Sequence, residues 1–375
     1  MKSTTLLLLL LTGLTANAQT IRIADNNTNR PTGANIFSTL QAAINAAVQD
    51  DIVYITPSVT SYGDATVGKR ITIKGAGFGI TELGPRSSTV GTLTISNSDN
   101  GTNSITGAKF TGFSFTTITF AVGTGGTPYN NLIFENITGG TFYHINCIPG
   151  VDNMIVRNCY ISTIYIGACS GMSNTKLYNN IISYTLDIRN NSNPVISNNL
   201  FVSSVSAIET NASSTGVRIE HNIFSGSGVA FSQLVNGLVI NNIFYGKVPT
   251  GSTLFHSNTF SNNLVLSAFT FPPAAIGGPA NSGVNNIPGT GPLFTNAPVS
   301  STYNSTYDYT LQPGSACIGA ATNPLENIGS SGGLYPWIGN LSLKASAIPI
   351  ITLFGNSGVV PQNQPLKSNI KAKSN

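Results

Sequence analysis

The sequence predicts an all-β protein whose short strands stack as the coils of a single-stranded parallel β-helix, with an amphipathic helix at its N-terminal end. Between residues 130 and 266, a short apolar strand, a polar turn and another short apolar strand recur about every 21 residues. Helical spacing is absent from these segments, and their apolar runs are too short for helices. Strands that recur in register can pair with the coils above and below, so we expect one elongated solenoid.

Two polar columns mark the turn of each coil. Asparagine tolerates the left-handed backbone region, and its amide is both donor and acceptor, so stacked asparagines can hydrogen-bond from coil to coil. We interpret this asparagine ladder as structural rather than as a binding site. The first column is Asn136, Asn158, Asn179, Asn198, His221, Asn241 and Asn262, and the second is Ile137, Cys159, Asn180, Asn199, Asn222, Asn242 and Asn263.

The composition narrows the classes of partner. Charged residues make up 8% of the chain, against about 25% in ordinary globular proteins. Without Lys2, which lies in the predicted export signal, 16 basic and 13 acidic side chains leave a net charge of +3. Nucleic-acid binding needs a concentrated basic surface, so this weak and scattered excess argues against it.

Residues 1–18 have the pattern of an export signal. Lys2 supplies the positive start, Leu6–Leu11 is an apolar run, and Ala16-Asn17-Ala18 is a small-residue cleavage site. We therefore predict a secreted protein, extracellular or at the cell surface or in the periplasm after signal removal. No later stretch is long and apolar enough to span a bilayer, and a single-pass anchor is the alternative.

Residues 37–48 have the pattern of an amphipathic helix, with Ser38 and Gln41 as a capping box. A helix at this point would cover the open end of the hydrophobic core. The predicted organisation is a signal peptide (1–18), an N-terminal segment with the capping helix (19–50), the parallel β-helix (51–310), a closing coil and C-terminal cap (311–345), and a peripheral strand and tail (346–375).

Several segments resemble a known group of proteins. Leu40–Ile44, Ile52–Ile55 and Ile71–Gly77 are similar to the start, and Gly291–Phe294 and Asp308–Ser315 to the closing coil, of secreted right-handed parallel β-helix repeat proteins, the pectate-lyase-like superfold. The resemblance spans about residues 37–345 and implies a right-handed solenoid. It is specific for fold and poor for function, because the group includes lyases, hydrolases and adhesins.

Enzymes of this superfold place catalytic groups on the outside of adjacent coils, and one such stripe can be proposed here. His144, Tyr165 and Asp187 fall one coil apart, beside Ile145, Ile166 and Ile188, which should point inward. With Arg189 and Glu209, they could present an acid, a base and an aromatic platform for a sugar ring. The alternative is a face that carries charge only for solubility. The candidate stripe is His144, Tyr165, Asp187, Arg189 and Glu209.

The remaining polar candidates have structural interpretations. Glu135 and Arg157 should stack as an exposed ion pair, His221 should occupy a turn of the ladder, and His256 should lie in a loop. Cys147 and Cys169 could form a disulfide between coils or stay as buried thiols, and we expect packing roles for Cys159 and Cys317.

Catalytic and metal-binding patterns typical of the superfold are missing from the sequence. A calcium-dependent lyase needs several acidic residues on neighbouring coils, and a polygalacturonase-type hydrolase needs clustered aspartates. Asp152 and Asp187 are the only aspartates between residues 100 and 307, and they do not cluster. We therefore predict neither a cofactor nor a metal.

Three functions stay open. The first is a monomeric, non-catalytic solenoid that binds a polysaccharide, a cell-surface glycan or another surface, or acts structurally. The second is a polysaccharide lyase or glycoside hydrolase with an atypical site on the candidate stripe. The third is ice binding, which needs flat rows of threonines and for which Thr72, Thr94 and Thr117 start a row that stops.

Overall fold

The computed structural model describes residues 19–77, 85–96, 104–121, 129–143, 150–167 and 171–337, together with the strands Ile350–Asn356 and Ser368–Lys373. The predicted signal peptide, His144, Cys147 and Cys169 lie outside these residues. Within them, successive coils contribute strands to long parallel sheets, and each coil pairs with the coil before and after it. The predicted parallel solenoid is therefore confirmed.

Sheet A is the longest and has 13 strands in the described part of the chain. Most of its strands are three residues long, and their middle side chains point into the core. The strands are Ile21–Ala24, Ile36–Phe37, Ile52–Ile55, Thr72–Lys74, Lys109–Thr111, Ile133–Glu135, Ile155–Arg157, Lys176–Tyr178, Val195–Ser197, Arg218–Glu220, Leu238–Ile240, Thr259–Ser261 and Ser282–Val284.

Sheet B forms a second side of the solenoid, and the four-stranded sheet C forms part of a third. The strands of sheet B are Ala65–Val67, Thr89–Ile95, Ser114–Phe120, Thr138–Tyr143, Tyr160–Tyr165, Ile181–Asp187, Leu200–Ser203, Ile208–Glu209, Ile223–Gly226, Ile243–Tyr245, Leu264–Val265 and Ile287–Pro288. Those of sheet C are Tyr129–Asn130, Val151–Asp152, Met172–Ser173 and Asn191–Ser192, and Leu234–Val235 pairs with Phe255–His256 farther along.

Each short strand of sheet A lies between two tight corners. The corner after the strand is the first polar column, whose seven residues all have φ between 53° and 59°. The corner before the strand, five residues earlier, also has positive φ. The sequence analysis did not identify this corner, although asparagine recurs there. Asparagine and glycine reach this backbone region at low cost, which explains their use at both corners. The earlier corner consists of Asn131, Asn153, Asn174, Asn193, Gly216, Asn236 and Ser257.

The second polar column points inward and forms a continuous chain of hydrogen bonds. The amide nitrogen of Asn180 donates to Oδ1 of Asn199 at 2.9 Å, and that of Asn199 donates to Oδ1 of Asn222 at 3.0 Å. The same contact repeats down to Asn286. Each amide also donates to backbone carbonyls, so polar groups that turn into the core are paired.

The N-terminal helix spans Leu40–Ala46 and is shorter than predicted. Its N-cap is Thr39, whose hydroxyl accepts from the backbone N–H of Ala42, rather than Ser38. Leu40, Ala43 and Ile44 are buried against the first strands, including Ile21–Ala24, which the sequence analysis did not predict. The helix thus packs on the first coils, as predicted.

The C-terminal part departs from the predicted closing coil. Parallel pairing ends at Ile287–Pro288, and Phe294–Asn296 pairs antiparallel with Asp308–Leu311. Residues 291–337, called here the C-terminal segment, run back over the outer face of sheet B. Phe294, Tyr309, Cys317 and Ile328 are among the side chains of this segment that cover apolar residues on that face. The covered residues are Ile181, Leu200, Val202, Ile223, Ile243 and Leu264.

The first polar column holds this segment in place. Asn198 donates through its amide to the carbonyls of Ser330 and Gly332, and the side chain of Asn241 accepts from the N–H of Thr322. Asn262 donates to the carbonyl of Ala320. The two columns therefore differ in role, because the second one pairs inside the core while part of the first docks the C-terminal segment outside it.

Candidate functional site

The candidate stripe lies on the outer face of sheet B, at the C-terminal ends of its strands. Tyr165 and Asp187 pair directly on adjacent coils, as their spacing suggested, and Asp187 pairs with Glu209 on the next coil, although the sequence analysis had spaced Glu209 from Arg189. The residue that pairs with Tyr165 on the preceding coil is Tyr143, 22 residues earlier, whereas the sequence analysis had assigned this position to His144. His144 itself lies outside the described residues. The stripe is therefore Tyr143, Tyr165, Asp187, Arg189 and Glu209.

Asp187 is the buried centre of the stripe. It was predicted to face outward, but its side chain is 0% exposed and is covered by Arg189. Nε and Nη2 of Arg189 donate to its carboxylate at 2.6 to 3.0 Å, and the backbone N–H of Arg189 donates to Oδ1 at 3.0 Å. The carboxylate also occupies the space beside Gly167, where an added Cβ would lie 1.7 Å from Oδ1. Asp187 therefore has no free face for a substrate.

Arg189 connects this ion pair to two aromatic rings. Its Nη2 donates to the hydroxyl of Tyr165 at 2.6 Å, and its guanidinium carbon lies 5.5 Å from the centre of that ring. The rings of Tyr143 and Tyr165 are 5.6 Å apart at an angle of 43°. The stripe is thus a row of two tilted tyrosines that ends in a fixed, partly exposed cation.

The titration properties of the stripe disfavour proton transfer by Arg189. The hydrogen bonds to Asp187 raise the pKa of Arg189 above its already high ordinary value, so the guanidinium stays charged and cannot act as a base. Burial, and then the charge of Asp187, raise the pKa of Glu209. Within the described part of the chain, the carboxyl group of Glu209 makes no hydrogen bond or ion pair, which leaves it as the one carboxyl of the stripe that a ligand could contact.

A row of threonines runs beside the stripe. Thr92, Thr117, Thr141, Thr163 and Thr185 pair in register on five successive coils of sheet B. The row proposed from the sequence was different, because Thr72 belongs to sheet A and Thr94 pairs with Thr119. The neighbouring row begins with Thr94 and Thr119 and continues into the residues of the stripe, starting with Tyr143. The face is therefore not a uniform array of paired threonines.

Glu135 and Arg157 pair on adjacent coils of sheet A, but they do not form an exposed pair. Glu135 is only 8% exposed and bridges Lys109, at 2.6 Å, and Arg157, at 2.5 Å. Burial pushes the pKa of Glu135 upward, but the hydrogen bonds from the two cations outweigh it, so this pKa lies below its usual range. The triad is a partly buried structural contact.

The other candidates have structural positions. His221 is a left-handed turn residue, as predicted, and it is buried under Gly332 and Gly333 of the C-terminal segment. His256 lies in the short strand Phe255–His256 rather than in a loop. Cys159 and Cys317 are buried free thiols, and burial raises the pKa of each to about 12, which fits the predicted packing roles.

Neither a metal centre nor a membrane helix emerges from the described residues. No group of three or more His, Cys, Asp or Glu side chains in the described ranges is arranged to hold a metal ion. Among the same residues, no helix is long and apolar enough to cross a membrane.

Comparison with known proteins supports the fold. No protein-family model and no curated protein match this chain. Among solved structures, the chain is similar to the crystal structure of pectate lyase Pel9A, with a TM-score of 0.51 and 13% sequence identity over 83% of this chain and 96% of that chain. The chain therefore has the right-handed parallel β-helix of the pectate-lyase-like fold, which confirms the predicted fold class and resemblance. At this identity the similarity shows the fold alone.

Proposed function

We propose that this chain is an exported, non-catalytic glycan-binding protein that uses the stripe on sheet B. The observation that supports this most is the ion pair of Asp187 and Arg189. Both oxygens of the buried carboxylate accept hydrogen bonds from the guanidinium, so neither group is free to exchange a proton. The pair instead holds Arg189 rigidly against Tyr165.

The remaining geometry of the stripe fits an extended sugar chain. Tyr143 and Tyr165 offer ring faces on two adjacent coils, and Arg189 and Glu209 add a donor and an acceptor on the next two coils. Coils repeat at the strand spacing of about 4.8 Å, so the polar and aromatic groups follow one another along a line. Aromatic surface with a few placed polar groups is the usual composition of a glycan or small-ligand site.

The test is binding of immobilised and soluble glycans by the mature chain. We expect Tyr165→Ala to reduce retention on the glycan that the wild-type chain binds most tightly at least tenfold. The substitution removes the aromatic ring and the hydroxyl that accepts a hydrogen bond from Arg189. Tyr184→Ala is the matched control, since Tyr184 is an exposed tyrosine on the next strand of sheet B, Ile181–Asp187, and lies outside the stripe. Unchanged retention of the Tyr165→Ala protein would contradict the assignment of the site.

A catalytic alternative rests on Glu209. Its raised pKa and partial exposure would suit a general acid in a lyase or hydrolase with an atypical site. Incubation with acidic and neutral polysaccharides distinguishes the two functions. Formation of unsaturated products or new reducing ends, lost in Glu209→Gln, would establish catalysis and overturn the non-catalytic proposal.

A further inference from the structure

A cleft separate from the stripe lies between the outer face of sheet A and the C-terminal segment. It consists of two adjoining cavities of about 330 and 250 Å³, which share Arg218, Glu220 and Leu334 in their walls. The sequence analysis could not predict this cleft, because its two sides are more than 80 residues apart along the chain. The larger cavity lies at the lower end of the range of about 300–1,000 Å³ that is typical of small-ligand sites.

The larger cavity is flanked by two cations. Val195 forms its floor and pairs in register with Lys176 on the coil before and Arg218 on the coil after. The backbones of these two cationic residues are thus two strand spacings apart, roughly 10 Å. An anionic group placed over Val195 would lie within reach of both long side chains.

These cations are not fully neutralised by the protein. Nζ of Lys176 donates to Oδ1 of Asn153, a neutral acceptor, at 3.3 Å, and its charge also interacts with Asp152, which lies outside the cavity wall and is bound by Ser173 and Asn174. Arg218 uses Nε to bind Glu220 at 2.6 Å, and its two terminal nitrogens have no hydrogen bond to any residue in the described part of the chain. With Glu220 as the one carboxylate lining the larger cavity, the balance of charge there favours an anion.

An aromatic wall stands beside the cations. Tyr335 of the C-terminal segment stacks on Tyr178 of sheet A with ring centres 3.9 Å apart and an angle of 10° between the planes. Tyr335 is 37% exposed and the neighbouring Leu334 is 82% exposed. A sugar ring can pack its apolar face against such an open aromatic surface while its polar groups reach the cations.

A buried histidine closes the inner end of the smaller cavity. His221 is 3% exposed, because Gly332 and Gly333 of the C-terminal segment cover its ring. Its Nε2 lies 3.1 Å from the amide nitrogen of Asn241 and 3.7 Å from Glu326. The ring also lies beside the backbone of Asn327 and Gly329, so His221 forms the closed end of the cleft rather than a ligand contact.

From these contacts we infer that the cleft binds a single anionic sugar ring. Its carboxylate or sulfate group lies between Lys176 and Arg218, and its apolar face packs on Tyr335. The inference depends on the proposed function for the class of ligand, but it concerns a different face and a different specificity. A site closed by the C-terminal segment on one side suits one ring or the end of a chain better than an extended polymer.

The experiment is titration calorimetry of the full chain with three soluble probes: glucuronic acid, a sulfated glucose and glucose. We expect at least one of the two anionic sugars to bind at least tenfold more tightly than glucose, and the pair tells carboxylate from sulfate. Arg218→Gln should weaken that binding at least tenfold. Arg70→Gln, which removes an exposed arginine that also pairs with a carboxylate, should leave it unchanged. Equal affinity for glucose, no binding of either anion, or wild-type affinity of Arg218→Gln would overturn the inference.

Because Arg218→Gln leaves the largely buried Glu220 without its partner, Tyr335→Ala serves as a second variant. Tyr335→Ala should weaken binding of the anionic sugar without changing the charge of the protein. Tyr165→Ala separates this site from the stripe, since it should abolish retention on the long glycan and keep the affinity for the anionic monosaccharide. Loss of monosaccharide binding in Tyr165→Ala would refute the second site while leaving the stripe in place.

Discussion

The indole N–H of Trp337 donates a hydrogen bond to the backbone carbonyl of Asn198, a residue of the first polar column 139 positions earlier in the chain. The side-chain amide of the same asparagine holds the carbonyls of Ser330 and Gly332. One corner of the coil stack thus anchors the end of the C-terminal segment, which in turn forms one wall of the proposed anion cleft.

Trp337→Phe tests this anchor. The substitution removes the N–H donor and leaves a smaller aromatic ring in its place, so it should cost at least about 1 kcal/mol, the usual net value of a hydrogen bond. We expect faster hydrogen exchange in residues 320–337 and an unchanged exchange rate in sheet A. Equal protection of residues 320–337 in both proteins would show that the apolar contacts alone hold the segment.

Asn199→Ala tests the inward column. The side chain of Asn199 bonds to Asn180, Asn222 and the carbonyl of Leu177, and all of these groups are buried. Its loss should lower the free energy of unfolding by about 1–3 kcal/mol, the cost of leaving buried polar groups unpaired. Denaturant unfolding measures the change, and Asn29→Ala, at an exposed asparagine outside the columns, should be neutral. The same midpoint for both variants would contradict the structural role of the column.

Asn158 tests the role of backbone conformation at the corners. Its φ is 53°, and its side chain makes no hydrogen bond within the described part of the chain. Asn158→Ala should cost about 1 kcal/mol because of the left-handed backbone, while Asn158→Gly should be close to neutral. Equal stability of the alanine and glycine variants would show that the corner does not depend on left-handed propensity.

Lys247 should make stability depend on pH. Its ammonium group is buried and donates to the carbonyls of Val205 and Ser227, and burial lowers its pKa from 10.5 to about 8. Between these pH values the unfolded chain binds more protons than the folded chain, so this group makes the free energy of unfolding rise as the pH increases from 8 to 10.5. The gain is at most about 3 kcal/mol, with no slope from this group below pH 8. In Lys247→Met, the rise in the free energy of unfolding between pH 8 and 10.5 should disappear from unfolding curves measured across this range. If the variant kept the rise, it would have to come from other groups.

Gly167→Ala tests how the stripe is held. The added methyl group would meet Oδ1 of Asp187, so the carboxylate and Arg189 must move. We expect the protein to fold and to lose at least tenfold in glycan retention. Gly291→Ala is the control, because its nearest neighbour would be a side-chain carbon of Leu266 at 3.5 Å. Full retention in Gly167→Ala would mean that the ion pair does not position the stripe.

Part of the stripe could be predicted from the sequence, and part could not. Sequence spacing placed Tyr165 and Asp187 in one row, because in-register coils place residues one repeat apart on the same face, whereas it had aligned Glu209 with Arg189 rather than with Asp187. It did not identify Tyr143, since spacings vary from 19 to 23 residues as turns change length, and one residue of slip exchanges the inner and outer faces. Burial of Asp187 was also unpredictable, because it depends on the conformation of the Arg189 side chain, whose guanidinium covers the Asp187 carboxylate.

The sequence by itself determined the repeating strands, the left-handed corners and the inward asparagines, since each depends on the preferences of a few adjacent residues repeated many times. Runs such as Leu200-Phe201-Val202 even contained a signal that both faces of sheet B are covered, because consecutive apolar residues point to opposite sides. Only the tertiary structure decided what covers the outer face. The C-terminal segment pairs with coils that lie far earlier in the chain, and such non-local contacts depend on matching surfaces that no local pattern specifies.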